Sequence, residues 1–105
     1  MAEDADIVEL GGHIELSGFR ELDGASMIIL KKIVGSYAKK FSESITDFEK
    51  LSVNMKKVHE REKSEKYELH AKLVAGGRQF NSEVTDRNLF FALDKALKKV
   101  EKEIA

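Results

Sequence analysis

From residue 67 to residue 85, apolar and polar positions alternate through two segments joined by Ala75-Gly76-Gly77-Arg78. The alternation predicts two strands. The two central glycines predict a two-residue type I′ loop, because both of its positions require φ > 0. Pairing Ala75 with Arg78 sets Leu73 opposite Phe80, Ala71 opposite Ser82 and Leu69 opposite Val84 on one mostly apolar face. The other face receives Lys72 with Asn81, His70 with Glu83, and Glu68 with Thr85. A one-residue slip would mix the two faces, so the register is well specified. Asp86 then offers an N-cap, and Leu89, Phe90, Leu93, Ala96, Leu97, Val100 and Ile104 follow as a helical apolar stripe.

Upstream, Leu30, Ile33, Val34, Tyr37 and Phe41 recur at helical spacing after the turn or cap at Asp23-Gly24. Lys32, Ser36, Lys39 and Glu43 fall on the opposite side of that helix, with Lys31 and Lys40 at its flanks. Residues 42–50 show no period and read as a connection. Leu51, Val53 and Met55 alternate with Ser52, Asn54 and Lys56, the pattern of a half-buried strand. Met55 is expected beside Ala71, Lys56 beside His70, and Asn54 beside Lys72. Residues 59–66 (HEREKSEK) are nearly all charged and read as a solvated loop. Ile14, Leu16 and Phe19 read as a strand, with Gly18 as a bulge. Residues 1–12 admit two readings, an acidic tail or an extra strand at Ile7-Val8-Glu9-Leu10 entering a second hairpin. The expected architecture for residues 13–105 is therefore one α+β domain, a two-layer β-α-β-β-β-α sandwich. Its four-stranded sheet carries both helices on one face. The first two strands are parallel neighbours joined by a right-handed helical crossover.

A chain of 105 residues fits a single domain with a real core. It contains no Cys, which excludes disulfides and thiolate metal sites, and its histidines (His13, His59 and His70) lie far apart. The longest apolar run, residues 89–93, falls far short of the ~20 residues that span a bilayer. The acidic start is unlike a basic targeting segment. These features lead to the expectation of a cytoplasmic protein without membrane partners. The net charge of −1 conceals an asymmetry: residues 1–23 carry seven acids against Arg20 alone, whereas residues 24–105 carry 17 basic and 12 acidic side chains.

The last helix is the most informative surface. Opposite its apolar stripe stand Arg87, Phe91, Lys95, Lys98 and Lys102, at spacings of 4, 4, 3 and 4, with Lys99 on the flank. Cations so spaced suit a phosphate backbone, and an aromatic among them suits stacking on a base. The plainer reading is a solvated face whose lysines favour the helix C-terminus, and it has somewhat the greater weight from spacing alone. Catalytic signals are poor. Ser36-Tyr37-Ala38-Lys39 matches an acyl-enzyme S-x-x-K pattern but lacks its companion motifs. Neither Gly-Gly pair opens a Walker loop. His70 facing Glu83 reads as a cross-strand polar pair. No enzyme, cofactor or metal site is expected.

Three segments resemble the ribosome hibernation-promoting factor and ribosome-associated inhibitor family. They are Leu51-Ser52-Val53-Asn54-Met55-Lys56, Tyr67-Glu68-Leu69-His70-Ala71 with Gly76-Gly77, and Asn88-Leu89-Phe90-Phe91-Ala92-Leu93-Asp94. The last is similar to that family's D-x-Y-x-A-I-D helix start, with Asn88 where an acid is usual and Phe91 where a small residue is usual. Lys99 and Lys102 fall at the family's basic helix positions, and Leu30-Lys31 and Lys40 resemble those of its first helix. The resemblance spans residues 14–104. It implies a fold akin to double-stranded-RNA-binding domains and occupation of the small-subunit decoding channel. The expected function is a non-enzymatic ribosome-associated factor that restrains translation, with Lys31, Lys32, Lys39, Lys40, Arg87, Lys95, Lys98, Lys99 and Lys102 on phosphates. The alternative is a protein-interaction or homo-oligomerisation module of the same fold, using its exposed sheet edge or polar face.

Overall fold

The computed structural model of the protein describes residues 7–10, 13–61 and 64–104. Gly76 and Gly77 take φ of 55° and 79°, inside the left-handed region that a type I′ turn needs. On either side, β4 (Ser64–Ala75) and β5 (Arg78–Asp86) pair antiparallel. Their register is Leu73 with Phe80, Ala71 with Ser82, and Leu69 with Val84, as the alternation predicts.

β3 (Phe48–Arg61) lies on the other side of β4, also antiparallel. Here the expected register is corrected. Met55 faces Leu69 and Val53 faces Ala71, so Lys56 stands beside Glu68, Asn54 beside His70, and Ser52 beside Lys72. The two-residue difference preserves which side chains share a face, because that period is also two. Its cause is a second correction: the charged stretch read as a loop is largely strand. Pairing continues through Val58 with Lys66 and His59 with Glu65 to Arg61 with Ser64. A charged sequence can form a strand because the ladder is built from backbone groups and does not require apolar side chains.

β2 (Ile14–Ser17) runs parallel to β3, Leu16 beside Val53, and α1 (Gly24–Ser44) makes the crossover. Gly18 leaves β2 at φ 85°, where a Cβ would stand 2.0 Å from the Met55 carbonyl oxygen. Only glycine permits that approach. β1 (Ile7–Leu10) pairs antiparallel with β2, Leu10 facing Ile14. The sheet is thus five-stranded and mixed, in the order β1-β2-β3-β4-β5, and not four-stranded. Four residues carry too short an alternation for the sequence to separate a strand from a tail.

Asp23 caps α1, its carboxylate accepting from the Ser26 N–H at 3.0 Å. The helix runs to Ser44, into the stretch expected to be a connection. At α2 (Leu89–Ile104) the expected cap is corrected as well. Asn88 Oδ1 accepts from the Phe91 N–H at 2.9 Å, whereas Asp86 Oδ1 accepts from the Asn88 N–H and shapes the preceding turn.

The core lies between one sheet face and both helices. Leu16, Leu51, Val53, Leu69 and Leu73 meet Leu30, Val34 and Phe41 of α1 and Leu93, Leu97 and Val100 of α2, all essentially solvent-free. Tyr37 Oη donates to Asp94 Oδ1 at 2.8 Å, and Lys40 lies 3.4 Å from Glu101. Residue numbers climb together along this seam, so the helices run in the same direction. Among the described residues, no helix is long and apolar enough to cross a membrane.

Candidate nucleic-acid interface

Helical geometry turns the side of α2 opposite Leu93 and Leu97 outward. Phe91, Lys95, Lys98 and Lys102 occupy it, and Arg87 continues the line into the turn before the helix. All five are exposed. Phe91 is 52% exposed, high for an aromatic side chain. The Lys95 ammonium lies 5.0 Å from its ring centroid, within cation–π range. Lys98 is 3.2 Å from Asp94 one turn earlier. Arg87 and Lys102 make no ion pair among the described residues, so the line keeps unneutralised charge at both ends.

The remaining candidates divide. Lys99 lies off this line: its Nζ donates to the Glu83 carbonyl at 3.4 Å, at the outer edge of β5. Lys40 stands in the helix–helix seam, paired with Glu101 and 5.1 Å from the Tyr37 ring centroid. Lys32 is exposed on the outer side of α1. Lys31 precedes Lys40 by two and a half turns and so projects from the opposite flank, away from α2. Lys39 lines a groove of about 920 Å³ on that flank, with Leu10, His13, Ile14, Ala38 and Phe48. The basic surface therefore comprises the α2 line with Lys40 beside it, while Lys31 and Lys99 stand apart and Lys32 and Lys39, two turns from each other, share the outer side of α1.

Electrostatics tie this face to the fold. Burial, then the bond to Asp94, pushes the Tyr37 phenol well above its ordinary range. The same bond, helped by Lys98, holds the Asp94 carboxyl below the usual carboxylate range. Asp94 thus stays ionised between Tyr37 and Lys98 and anchors one member of the basic line.

Two surface features escape sequence reasoning. Ile28 and Ile29, near the start of α1, are 60% and 48% exposed; they lie outside the apolar stripe, which was the available signal. On the sheet face away from the helices, His70 meets two carboxylates. Its Nε2 is 2.5 Å from Glu68 Oε2 and its Nδ1 3.9 Å from Glu83 Oε1. The hairpin alternation already placed all three on one face, but only His70 and Glu83 stood out as a directly opposed pair. Ser36 of the S-x-x-K match is on the outside of α1, away from any cluster of catalytic groups among the described residues. No protein-family model matches the chain, and no curated protein does.

Proposed function

We propose that the protein binds RNA through the outer face of α2 and that its target is the small ribosomal subunit, where it restrains translation. The observation that carries this reading is the exposed Phe91, with Lys95 over its ring, inside a line of cations from Arg87 to Lys102. An exposed aromatic flanked by cations suits nucleotides, since the ring stacks on a base while the ammonium groups meet phosphates. The arrangement β2-α1-β3-β4-β5-α2 supports a likeness to double-stranded-RNA-binding domains, with β1 as an added strand. The ribosome as target rests on the resemblance to hibernation factors, and a cytoplasmic, non-enzymatic role belongs to the same proposal. Pelleting purified protein with small subunits across a salt series tests it. Binding should weaken on a log–log plot with a slope of about −0.7 to −0.9 per neutralised phosphate. Binding insensitive to salt, or none, removes the proposal.

A second reading has its own observation. Exposed Ile28 and Ile29 favour a protein contact at the start of α1, in a module that pairs with itself or another chain. Ile28→Asp should then abolish association and leave RNA affinity unchanged.

A further inference from the structure

We infer that Glu68, His70 and Glu83 form a binding site for a divalent transition-metal ion of the zinc type, on the sheet face opposite the helices. The backbone sets up the site. Glu68 and His70 are two apart on β4 and so project from one face, and Glu83 stands directly opposite His70 on β5. One ligand atom from each residue lies within 4.8 Å of the others. A tetrahedral ion with bonds near 2.1 Å holds its ligands about 3.4 Å apart. The imidazole faces the two carboxylates with different nitrogens, Nε2 2.5 Å from Glu68 and Nδ1 3.9 Å from Glu83, so a single shell requires one nitrogen to serve both. Small side-chain rotations that bring one ring nitrogen between the carboxylates would complete three ligands, with water as the fourth.

The donor set decides the class of ion. One imidazole with two carboxylates suits zinc, cobalt or nickel, whereas calcium and magnesium favour all-oxygen shells. The neighbours leave the histidine available. Asn54, beside His70 on β3, gives its amide to Ser17 Oγ at 2.9 Å. Glu68 is only a quarter exposed at its side chain, while Glu83 is more than half exposed and free to swing inward. Lys56 lies beside Glu68 in register, and its charge opposes the ion. This site and the α2 face lie on opposite sides of the sheet, so the inference does not depend on RNA binding.

Calorimetric titration of chelator-treated protein with Zn²⁺ tests the inference, supplemented by visible absorption of the Co²⁺ form. The expected result is one equivalent bound, with the intense absorption of a four-coordinate cobalt centre. Loss of even an outer partner of a metal ligand costs about 10–100-fold in affinity. His70→Ala should therefore abolish saturable binding, and Glu83→Gln should weaken it at least tenfold. His13→Ala should leave it unchanged. Melting curves without metal establish that the variants are folded, and Glu83→Gln, at an exposed position, serves if His70→Ala is not. Absence of saturable binding overturns the site. So does binding that survives in folded His70→Ala, or that survives undiminished in Glu83→Gln.

Discussion

Tyr37 and Asp94 join the two helices beside the charged side chains of Lys40, Lys98 and Glu101, and their ionisation ties stability to pH at both extremes. The Asp94 carboxyl is held below its ordinary 3.8, so its contribution is present above that value and is lost as pH falls through the folded one. The Tyr37 phenol is held above its ordinary 10.0, so its contribution is complete below that value and is lost as pH rises beyond it. Tyr37→Phe should cost about 1 kcal/mol near neutrality, as loss of one partly exposed hydrogen bond does. It should also flatten both the acid and the alkaline limb of a plot of denaturation midpoint against pH. An unchanged profile would show that the bond contributes nothing. Leu93 makes the opposite case, since its environment is wholly apolar and free of solvent. Leu93→Ala should destabilise the fold by about 2–5 kcal/mol, read as a lower urea midpoint. That core position was legible from the helical stripe. The Tyr37–Asp94 bond was not, because it joins residues 57 positions apart whose alignment depends on how two helices pack.

At the scale of elements, legibility followed the strength of local pattern. The β4–β5 hairpin was readable to the residue, because its loop type and its alternation specify the same register. The β3–β4 pairing was readable only to the face. Alternation repeats every two residues, and nothing in HEREKSEK marks where the chain turns. β1, at four residues, is too short for its alternation to distinguish a strand from a tail. The α2 cap shows a finer limit. Asp86 and Asn88 are both good capping types, and helix boundaries read from sequence rarely resolve two positions. The structure separates their roles, and mutation can check the separation. Asn88→Ala should cost about 1 kcal/mol, the usual value of an N-cap, and should reduce amide protection in the first turn of α2. Asp86→Ala removes only the bond to the Asn88 N–H and should leave the Phe91 amide protected. If Asp86→Ala exposes Phe91 and Asn88→Ala does not, the cap has been assigned to the wrong residue.

Over the whole molecule, the balance of charge matters more than its sum. Part of the acidic excess before residue 24 is met locally: Glu15 lies 3.7 Å from Lys50, and Glu21 lies 3.8 Å from Lys57. Glu3, Asp4 and Asp6 stand outside the described residues, before β1. If they compete with RNA for the α2 line, removing residues 1–6 should tighten RNA binding at low salt and have little effect at high salt. Removing residues 1–12 would be the wrong experiment, because it takes β1 from the sheet. The decisive test is charge reversal on α2. Lys95, Lys98 and Lys102 lie on the solvent side of a helix whose opposite side fills the core. Replacing all three by Glu therefore changes the local charge by six while leaving the apolar packing in place. Lys98 gives up its pair with Asp94, a surface interaction worth at most about 1 kcal/mol, so the variant should remain folded. It should fail to pellet with small subunits. Any residual affinity should show a salt slope shallower by nearly one unit for each phosphate that is no longer neutralised. Reversal of Lys56 and Lys72, on the polar sheet face, serves as the control and should leave pelleting intact. If the triple variant pellets as wild type does while the control does not, the RNA surface is the polar sheet face, and α2 is only the solvated side of an amphipathic helix.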